Sequence, residues 1–131
     1  MPRLSVLLPA HNAERTVTRA VRSTLAALPP DAELVVADDG STDRTAERVL
    51  AGAARRGVVD RRLRLVDAAP GPGGITRVLT QLLETTDSEL VGRMDADDIS
   101  LPGRFGAALA RLDDGDDMVF LQQVELRESA G

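Results

Sequence analysis

Short apolar runs alternate along the chain with longer segments in which apolar residues recur at helical spacing. The apolar runs predict five β-strands, at residues 4–8, 33–37, 63–66, 89–94 and 118–124. The segments between them predict four α-helices, at residues 13–28, 42–56, 75–83 and 102–112. Asn12 stands where the first helix needs an N-terminal cap, and Pro9 is expected to end the first strand.

This alternation of strands and helices is typical of right-handed βαβ units. We therefore predict the α/β class, with a mostly parallel sheet of about five strands and helices on both faces. At 131 residues the chain has room for one domain. Ligands of such sheets bind beyond the carboxyl ends of the strands, so the residues that follow each strand are the candidates for chemistry.

Composition removes several classes of function. The net charge is −5, with acidic clusters at residues 38–39, 95–98 and 113–117, so DNA or RNA binding is not expected. All 16 basic residues are arginine and no cysteine is present, which excludes Schiff-base lysines, thiolate chemistry and disulfides. The apolar runs are far shorter than the roughly 20 residues that span a bilayer. No signal-peptide pattern follows Met1, and we expect a cytoplasmic protein.

Polar residues collect after each of the first four predicted strands, at residues 9–12, 38–43, 71–74 and 95–98. Two of these segments are rich in aspartate. Carboxylates brought together at one sheet edge repel each other unless a cation or a hydrogen-bond donor lies between them. Oxygen-only ligands without cysteine favour Mg²⁺ or Mn²⁺ over zinc.

Four ordered motifs make the sequence recognisable. They are Pro-Ala-His-Asn, Val-Ala-Asp-Asp-Gly-Ser-Thr-Asp, Gly-Gly-Ile with its following helix, and Arg-Met-Asp-Ala-Asp-Asp-Ile-Ser-Leu-Pro-Gly-Arg-Phe. Together they resemble the family 2 glycosyltransferases, which have the Rossmann-like nucleotide-sugar fold called GT-A. The resemblance covers residues 4 to about 112. It implies transfer of a sugar from a nucleoside diphosphate donor to an acceptor hydroxyl, with inversion at the anomeric carbon.

The resemblance also implies roles for individual residues. Asp97 matches the metal-ligand position, and Asp95 matches the position that contacts the ribose or the ion. Asp39 matches the carboxylate that accepts a hydrogen bond from the imide N–H of the base. This match favours uracil or thymine over cytosine, so the expected donor is a UDP- or dTDP-linked sugar. The segment Pro9-Ala10-His11 lies beside the base, with His11 where the family often carries tyrosine. Arg77 departs from the family pattern, in which this helix carries small residues and an asparagine, but its guanidinium could reach a phosphate of the donor.

A structural interpretation stands beside each of these roles. Asp95 and Asp98 could cap the helix that begins near residue 101. His11 could be a solvated loop histidine and Arg77 a surface arginine. Arg93, which matches a family position before the acidic motif, could pair with its carboxylates.

The family's second half, with the acceptor site and the general base, has no counterpart in these 131 residues. We therefore identify no catalytic residue in the chain and expect the general base beyond Gly131. The expected unit is a single nucleotide-sugar-binding domain over residues 1–131, truncated before the acceptor half. Such a domain would bind donor without completing transfer, and self-association around Phe120 and Leu121 is expected.

Other classes of protein fit less well. The alternative that the sequence leaves open is a non-catalytic nucleotide-sugar-binding or assembly domain. A phospho-receiver needs an aspartate after the first strand, and a dinucleotide-binding dehydrogenase needs a glycine-rich turn there. Neither feature is present, because Pro9, Ala10 and His11 occupy those positions.

Overall fold

The computed structural model describes residues 2–115, and a four-stranded parallel sheet lies at its centre. The strand order is β5–β2–β1–β6, and a separate two-residue-per-strand hairpin pairs β3 with β4. The strands are β1 (Leu4–Ala10), β2 (Ala32–Asp38), β3 (Ala54–Arg55), β4 (Val58–Val59), β5 (Leu63–Asp67) and β6 (Leu90–Arg93). The predicted α/β class is confirmed.

Some predictions fall on the last part of the chain, after residue 115. The predicted strand at 118–124 and the self-association expected around it lie outside the described residues. So does Gly131, beyond which we expect the general base. These three statements therefore stay predictions.

Helices cover both faces of the sheet, as predicted. They are α1 (Val17–Ala27), α2 (Thr45–Ala53), α3 (Gly74–Glu84) and α4 (Arg104–Asp113). Apolar residues of α1 and α2 pack against one face together with Phe105 of α4, while Val78 and Leu82 of α3 pack against the other. Within residues 2–115, no helix combines the length and the apolar character that crossing a membrane requires.

Strand β1 is the centre of the core because it is paired on both sides and covered on both faces. Val6 and Leu8 point to the α1 face and Leu7 to the α3 face, and all three are almost fully buried. Burial on both faces explains why the strands read as continuous apolar runs instead of alternating apolar and polar residues.

Pro9 does not end β1, contrary to the prediction, and the strand continues to Ala10. The carbonyl of Leu7 accepts a hydrogen bond from Met94, on the β6 side, and the backbone groups of successive strand residues point to alternate sides. The nitrogen of Pro9 therefore faces the β6 side, where the pairing ends at Leu7 opposite Arg93. A missing N–H costs nothing there.

Two helix boundaries also differ from the predictions. Helix α1 begins at Val17 instead of residue 13, and Asn12 does not cap it, since Asn12 has a left-handed backbone (φ 45°). Helix α2 ends at Ala53, because Arg56 and Gly57 both take positive φ and form the two-residue turn of the β3–β4 hairpin. The sequence before this turn is rich in alanine and has helical spacing. It therefore predicts a helix through residue 56 and gives no sign of the hairpin.

A polar cluster closes the α3 face at the amino end of the sheet. The hydroxyl of buried Ser5 donates to Glu33 across the β1–β2 pair at 2.6 Å, and Arg64 of β5 donates to the same carboxylate at 2.6 Å. Thr86 and Ser88, in the loop before β6, each lie 2.6 Å from the Ser5 hydroxyl. The cluster therefore ties three strands to the loop that leads into β6.

Burial by itself raises the pKa of the Glu33 carboxyl, but hydrogen bonds from Arg64 and Ser5 outweigh it and hold the pKa below its usual range. Because the folded-state pKa is lowered, the charged form stabilises the fold above the unfolded-state pKa near 4.5. This contribution is lost as the pH falls through the folded-state pKa.

We predict that Glu33→Gln lowers the free energy of unfolding by about 1–3 kcal/mol at pH 7, the usual cost of weakening hydrogen bonds to a charged group. The difference between wild type and variant should vanish below the folded-state pKa. Urea denaturation at pH 7, 5 and 3 measures it. Glu47→Gln, which changes an exposed carboxylate on α2, is the control and should have little effect at any pH. A pH-independent difference for Glu33→Gln would contradict the prediction.

Candidate functional site

The carboxyl ends of four parallel strands meet at one edge of the sheet, and all the residues that the sequence singled out as candidate site residues lie there. His11 follows β1, Asp39 follows β2 and Asp95 follows β6, while Arg77 on α3 reaches back to the ends of β2 and β5. Pro9 and Ala10 are the last residues of β1. One topological feature thus brings together residues from well-separated motifs.

The acidic motif after β6 forms a compact cluster. One carboxylate oxygen from each of Asp95, Asp97 and Asp98 lies within 4.8 Å of the others. Burial raises the pKa of the Asp98 carboxyl above its usual range, and the negative charges of Asp95 and Asp97 add to this effect. Three oxygen donors with mutually repelling charges match the ligand preference of Mg²⁺ or Mn²⁺, so this donor set fits the predicted ion.

Asp95 and Asp98 do not cap α4. Gly103 with a φ of 80° occupies the N-cap position, and no side chain forms a capping hydrogen bond at the start of this helix within the described part of the chain. Arg93 does pair with Asp95, at 3.4 Å, but both side chains are about half exposed, so the pair contributes little. The carboxylates of the motif are therefore available to a ligand, which the capping interpretation would have prevented.

Arg104 contacts residues on both sides of the acidic motif, and the sequence pattern assigns no role to it. Its guanidinium donates to the backbone oxygen of Arg93 at 2.8 Å and to Ser100 Oγ at 2.9 Å. Burial lowers the pKa of Arg104, while the charge of Asp98 opposes this shift. Arg104 follows the acidic motif closely in the sequence, but only the tertiary contacts show that it joins the two ends of the loop.

Asp39 and Arg77 bind each other. The Asp39 Oδ1 atom accepts from Arg77 at 2.8 Å, and the Asp39 and Arg77 side chains are 26% and 15% exposed. Arg77 also donates to the backbone oxygen of Ala69. Its buried Nε finds no acceptor among residues 2–115. Arg77 is therefore not a free surface arginine, and it holds the segment after β5 against the end of β2.

Glycines make room for the Arg77 side chain. A Cβ atom on Gly71 would lie 3.3 Å from Arg77 Cδ, and one on Gly73 would lie 3.3 Å from Arg77 Cβ. Both glycines have positive φ, at 156° and 108°, so the loop depends on a backbone shape that other residues rarely adopt. The Gly-Pro-Gly-Gly motif thus allows the loop to pass closely over the arginine.

A second network joins the loops after β1 and β2. His11 Nδ1 donates to the backbone oxygen of Asp39 at 2.7 Å, which fixes the ring beside that residue. The Asn12 side chain accepts from the backbone N–H of Thr42 at 2.8 Å, and the Asn12 N–H donates to Ser41 at 2.9 Å. Asn12 is therefore a loop-bridging residue, and its left-handed backbone turns the chain toward the second loop.

The fold and site together define a class: a parallel α/β domain with a carboxylate-rich ligand site at its carboxyl edge. Comparison with known proteins makes this specific. The profile of glycosyl transferase family 2 matches residues 5–129, and the chain belongs to that family. The resemblance noted in the sequence is thereby confirmed.

Curated relatives agree with this assignment. The succinoglycan biosynthesis protein ExoU of Rhizobium meliloti is 38% identical over 114 residues, which cover 87% of this chain and 31% of ExoU. Glucosyl-3-phosphoglycerate synthase of Mycolicibacterium smegmatis is 37% identical over 97 residues, covering 72% of this chain and 30% of that protein. The chain spans about a third of the length of these relatives.

Solved structures share the fold. TarS of S. aureus (residues 1–349) superposes with a TM-score of 0.72 at 28% identity, covering 87% of this chain and 33% of that one. Glucosyl-3-phosphoglycerate synthase of Mycobacterium tuberculosis, solved with Mg²⁺ and UDP, gives 0.68 at 28% identity, covering 88% and 41%. The same synthase has been solved with Mn²⁺, UDP-glucose and phosphoglyceric acid.

We predict that Arg77→Met lowers the free energy of unfolding by about 1–3 kcal/mol, because it leaves the Asp39 carboxylate without its ion-pair partner and removes the Arg77 hydrogen bond to the Ala69 carbonyl, which keeps the one from Gln81. Arg48→Met, which shortens an exposed arginine on α2, is the control and should change stability by less than about 0.5 kcal/mol. Thermal and urea unfolding measure both. Equal effects of the two variants would show that the Arg77 contacts contribute nothing.

Proposed function

We propose that this chain binds a uridine diphosphate sugar with Mg²⁺ or Mn²⁺ and serves an inverting transfer of that sugar to an acceptor hydroxyl. The observation that carries the proposal is the meeting of Asp39 and the carboxylates of Asp95 and Asp97 at one sheet edge. A nucleotide needs a partner for its base and a counter-charge for its diphosphate, and this edge offers candidates for both.

The Asp39 carboxylate is prepared to accept a hydrogen bond from the base. Its Oδ1 atom is taken by Arg77, and no hydrogen bond reaches Oδ2 within the described part of the chain. In our proposal Oδ2 accepts the imide N–H of uracil, while the ring nitrogen of cytosine, itself an acceptor, is rejected. His11 is fixed against the Asp39 carbonyl, where its ring can contact the base, next to Pro9 and Ala10.

In our proposal the diphosphate of the donor lies beside the acidic cluster. Asp97 and Asp95 would hold the divalent ion, which on binding neutralises charge on the departing diphosphate and so assists its departure. Arg104 keeps the loop in place through Arg93 and Ser100, so the carboxylates are held before ligand arrives. The Arg77 guanidinium is engaged by Asp39 and by the Ala69 carbonyl, so its contribution to nucleotide binding in our proposal is to hold the carboxylate that accepts from the base.

The comparisons support this proposal without extending it to a particular sugar. The mycobacterial synthase has been solved with UDP and either Mg²⁺ or Mn²⁺, and with UDP-glucose. These ligands match the oxygen-donor cluster and the base-accepting carboxylate described above. The expected cytoplasmic location and the position of the general base beyond Gly131 stay predictions.

We predict that Asp97→Asn weakens Mn²⁺-dependent UDP binding at least about tenfold, because it removes one charged oxygen ligand from the cluster. Asp87→Asn, which changes an exposed aspartate before β6 at the opposite sheet edge, is the matched control and should bind like wild type. Calorimetry of UDP with Mn²⁺ and with excess chelator measures the effect. Unchanged wild-type affinity in chelator would refute the metal assignment.

We predict that Asp39→Asn reduces the preference for UDP over CDP, because an amide can donate to cytosine as well as accept from uracil. UDP binding itself should weaken by about 1–3 kcal/mol, the usual effect of losing a charged hydrogen bond. Competition between UDP and CDP in the presence of Mn²⁺ gives the ratio directly. An unaltered ratio of UDP to CDP affinity would mean that Asp39 does not select the base. Binding of the diphosphate is tested separately by the Asp97→Asn calorimetry.

A further inference from the structure

The β3–β4 hairpin exposes apolar side chains in an unusual place. Val58 is 69% exposed and Val59 is 41% exposed, although both belong to a strand. A Cβ atom added to Gly57 at the turn would meet nothing within 4 Å, so the hairpin tip projects into open space. Val58 is the most exposed of the large apolar side chains among residues 2–115, and what it contacts depends on the charged residues around it.

Basic residues surround these valines. Residues 54–62 contain four arginines and one aspartate, in a chain whose net charge is −5. Arg55, Arg56 and Arg61 are exposed. Asp60 is engaged by Arg62, which donates to it at 2.9 Å and thereby holds the pKa of that carboxyl below its usual range. Because Asp60 is paired with Arg62, it leaves the positive charges of the three exposed arginines largely uncompensated.

The hairpin is held firmly to the rest of the fold. The guanidinium of Arg62 donates to the carbonyls of Leu25 and Leu28 at the end of α1, at 2.8 and 3.0 Å. The backbone N–H of Asp60 donates to Ala53 at the end of α2 at 2.9 Å. These bonds preserve the orientation of the tip, so a partner meets a rigid basic and apolar surface.

Arg56 occupies a turn position that favours asparagine or glycine. Its φ is 50°, a left-handed conformation that is strained for a long side chain. The first position of a two-residue hairpin turn is most often Asn or Gly for this reason. An arginine here places a positive charge at the tip at a conformational cost, and Arg56→Asn can remove the charge while relieving the strain.

We propose that the β3–β4 hairpin is a docking element for an anionic lipid surface, with Val58 entering the headgroup region and with Arg55, its partner in the strand pairing, facing the lipid phosphates together with Arg56 and Arg61. An exposed apolar side chain beside several arginines matches an anionic lipid interface, which takes up apolar groups and attracts basic ones.

The position of the hairpin is compatible with ligand binding elsewhere. It lies between the end of α2 and the start of β5, at the amino edge of the sheet, while the acidic cluster lies at the carboxyl edge. Three exposed acidic residues also lie toward the amino edge: Asp31 precedes β2, the strand next to β5, whereas Asp87 and Glu89 precede β6, which is separated from β5 by two strands. Docking through the hairpin would leave the candidate site open to solvent.

Vesicle sedimentation with the 131-residue protein tests the proposal. Vesicles of phosphatidylcholine with phosphatidylglycerol should bind wild type at low salt, whereas pure phosphatidylcholine should not. Each arginine near an anionic surface is worth about a fivefold change in partitioning, so Arg56→Asn with Arg61→Gln should reduce binding by at least about tenfold. Arg15→Gln with Arg44→Gln, an equal charge change at the other end of α1 and α2, is the control.

Apolar insertion has an independent readout because the chain contains no tryptophan and no tyrosine. The emission of Val58→Trp should shift to shorter wavelength and resist acrylamide quenching on anionic vesicles. Leu83→Trp, at an exposed apolar position on α3, should show neither change. Circular dichroism and a thermal melt of each variant confirm that it is folded.

Three results would overturn the proposal. The first is a failure of wild type to bind anionic vesicles at low salt. The second is an equal loss of binding in the hairpin double variant and in its control double variant. The third is Val58→Trp emission that acrylamide still quenches fully when the protein is bound to vesicles. Hairpin-dependent binding to polyglutamate without vesicle binding would assign the surface to an acidic protein instead. Loss of concentration-dependent dimers in Val58→Ser with Val59→Ser would assign it to a second copy of the chain. None of these readouts depends on nucleotide binding.

Discussion

The parallel pairing of β1 with β2 on one side and β6 on the other is the constraint on which the rest of the structure depends. It buries Val6, Leu7 and Leu8 between two helical layers, so the register cannot shift without moving apolar side chains to the wrong face. Because all the pairings in this sheet are parallel, every strand delivers its following loop to the same edge. The candidate site lies at that edge for this reason.

The loops at the site are held in position by polar contacts between elements, not by the sheet alone. Arg77 joins the end of β2 to the segment after β5, Asn12 joins the loops after β1 and β2, and Arg104 closes the loop after β6. Each bond satisfies a group that would otherwise be exposed or unpaired in a crowded region. The result is a site whose acidic residues are held in place by arginines and an asparagine that need not touch the reacting atoms.

The acidic cluster and the arginine-rich hairpin occupy different parts of the domain. Carboxylates concentrate beyond the carboxyl ends of the strands, where burial and the neighbouring charges of Asp95 and Asp97 raise the pKa of Asp98. Arginines dominate the β3–β4 hairpin toward the other edge. At physiological ionic strength charges interact over only about 8 Å, so the two regions can face different partners despite the net negative charge.

The sequence by itself determined the α/β class, the approximate positions of four strands and four helices, the acidic motif and the family, because apolar periodicity and short motifs are local properties. It placed His11, Asp39 and Asp95 at strand ends correctly. Only the tertiary structure decided that Asp39 pairs with Arg77, 38 residues away, and that Asn12 bridges to Thr42, 30 residues away, instead of capping α1. Such contacts depend on strand order and loop shape, which no local pattern specifies.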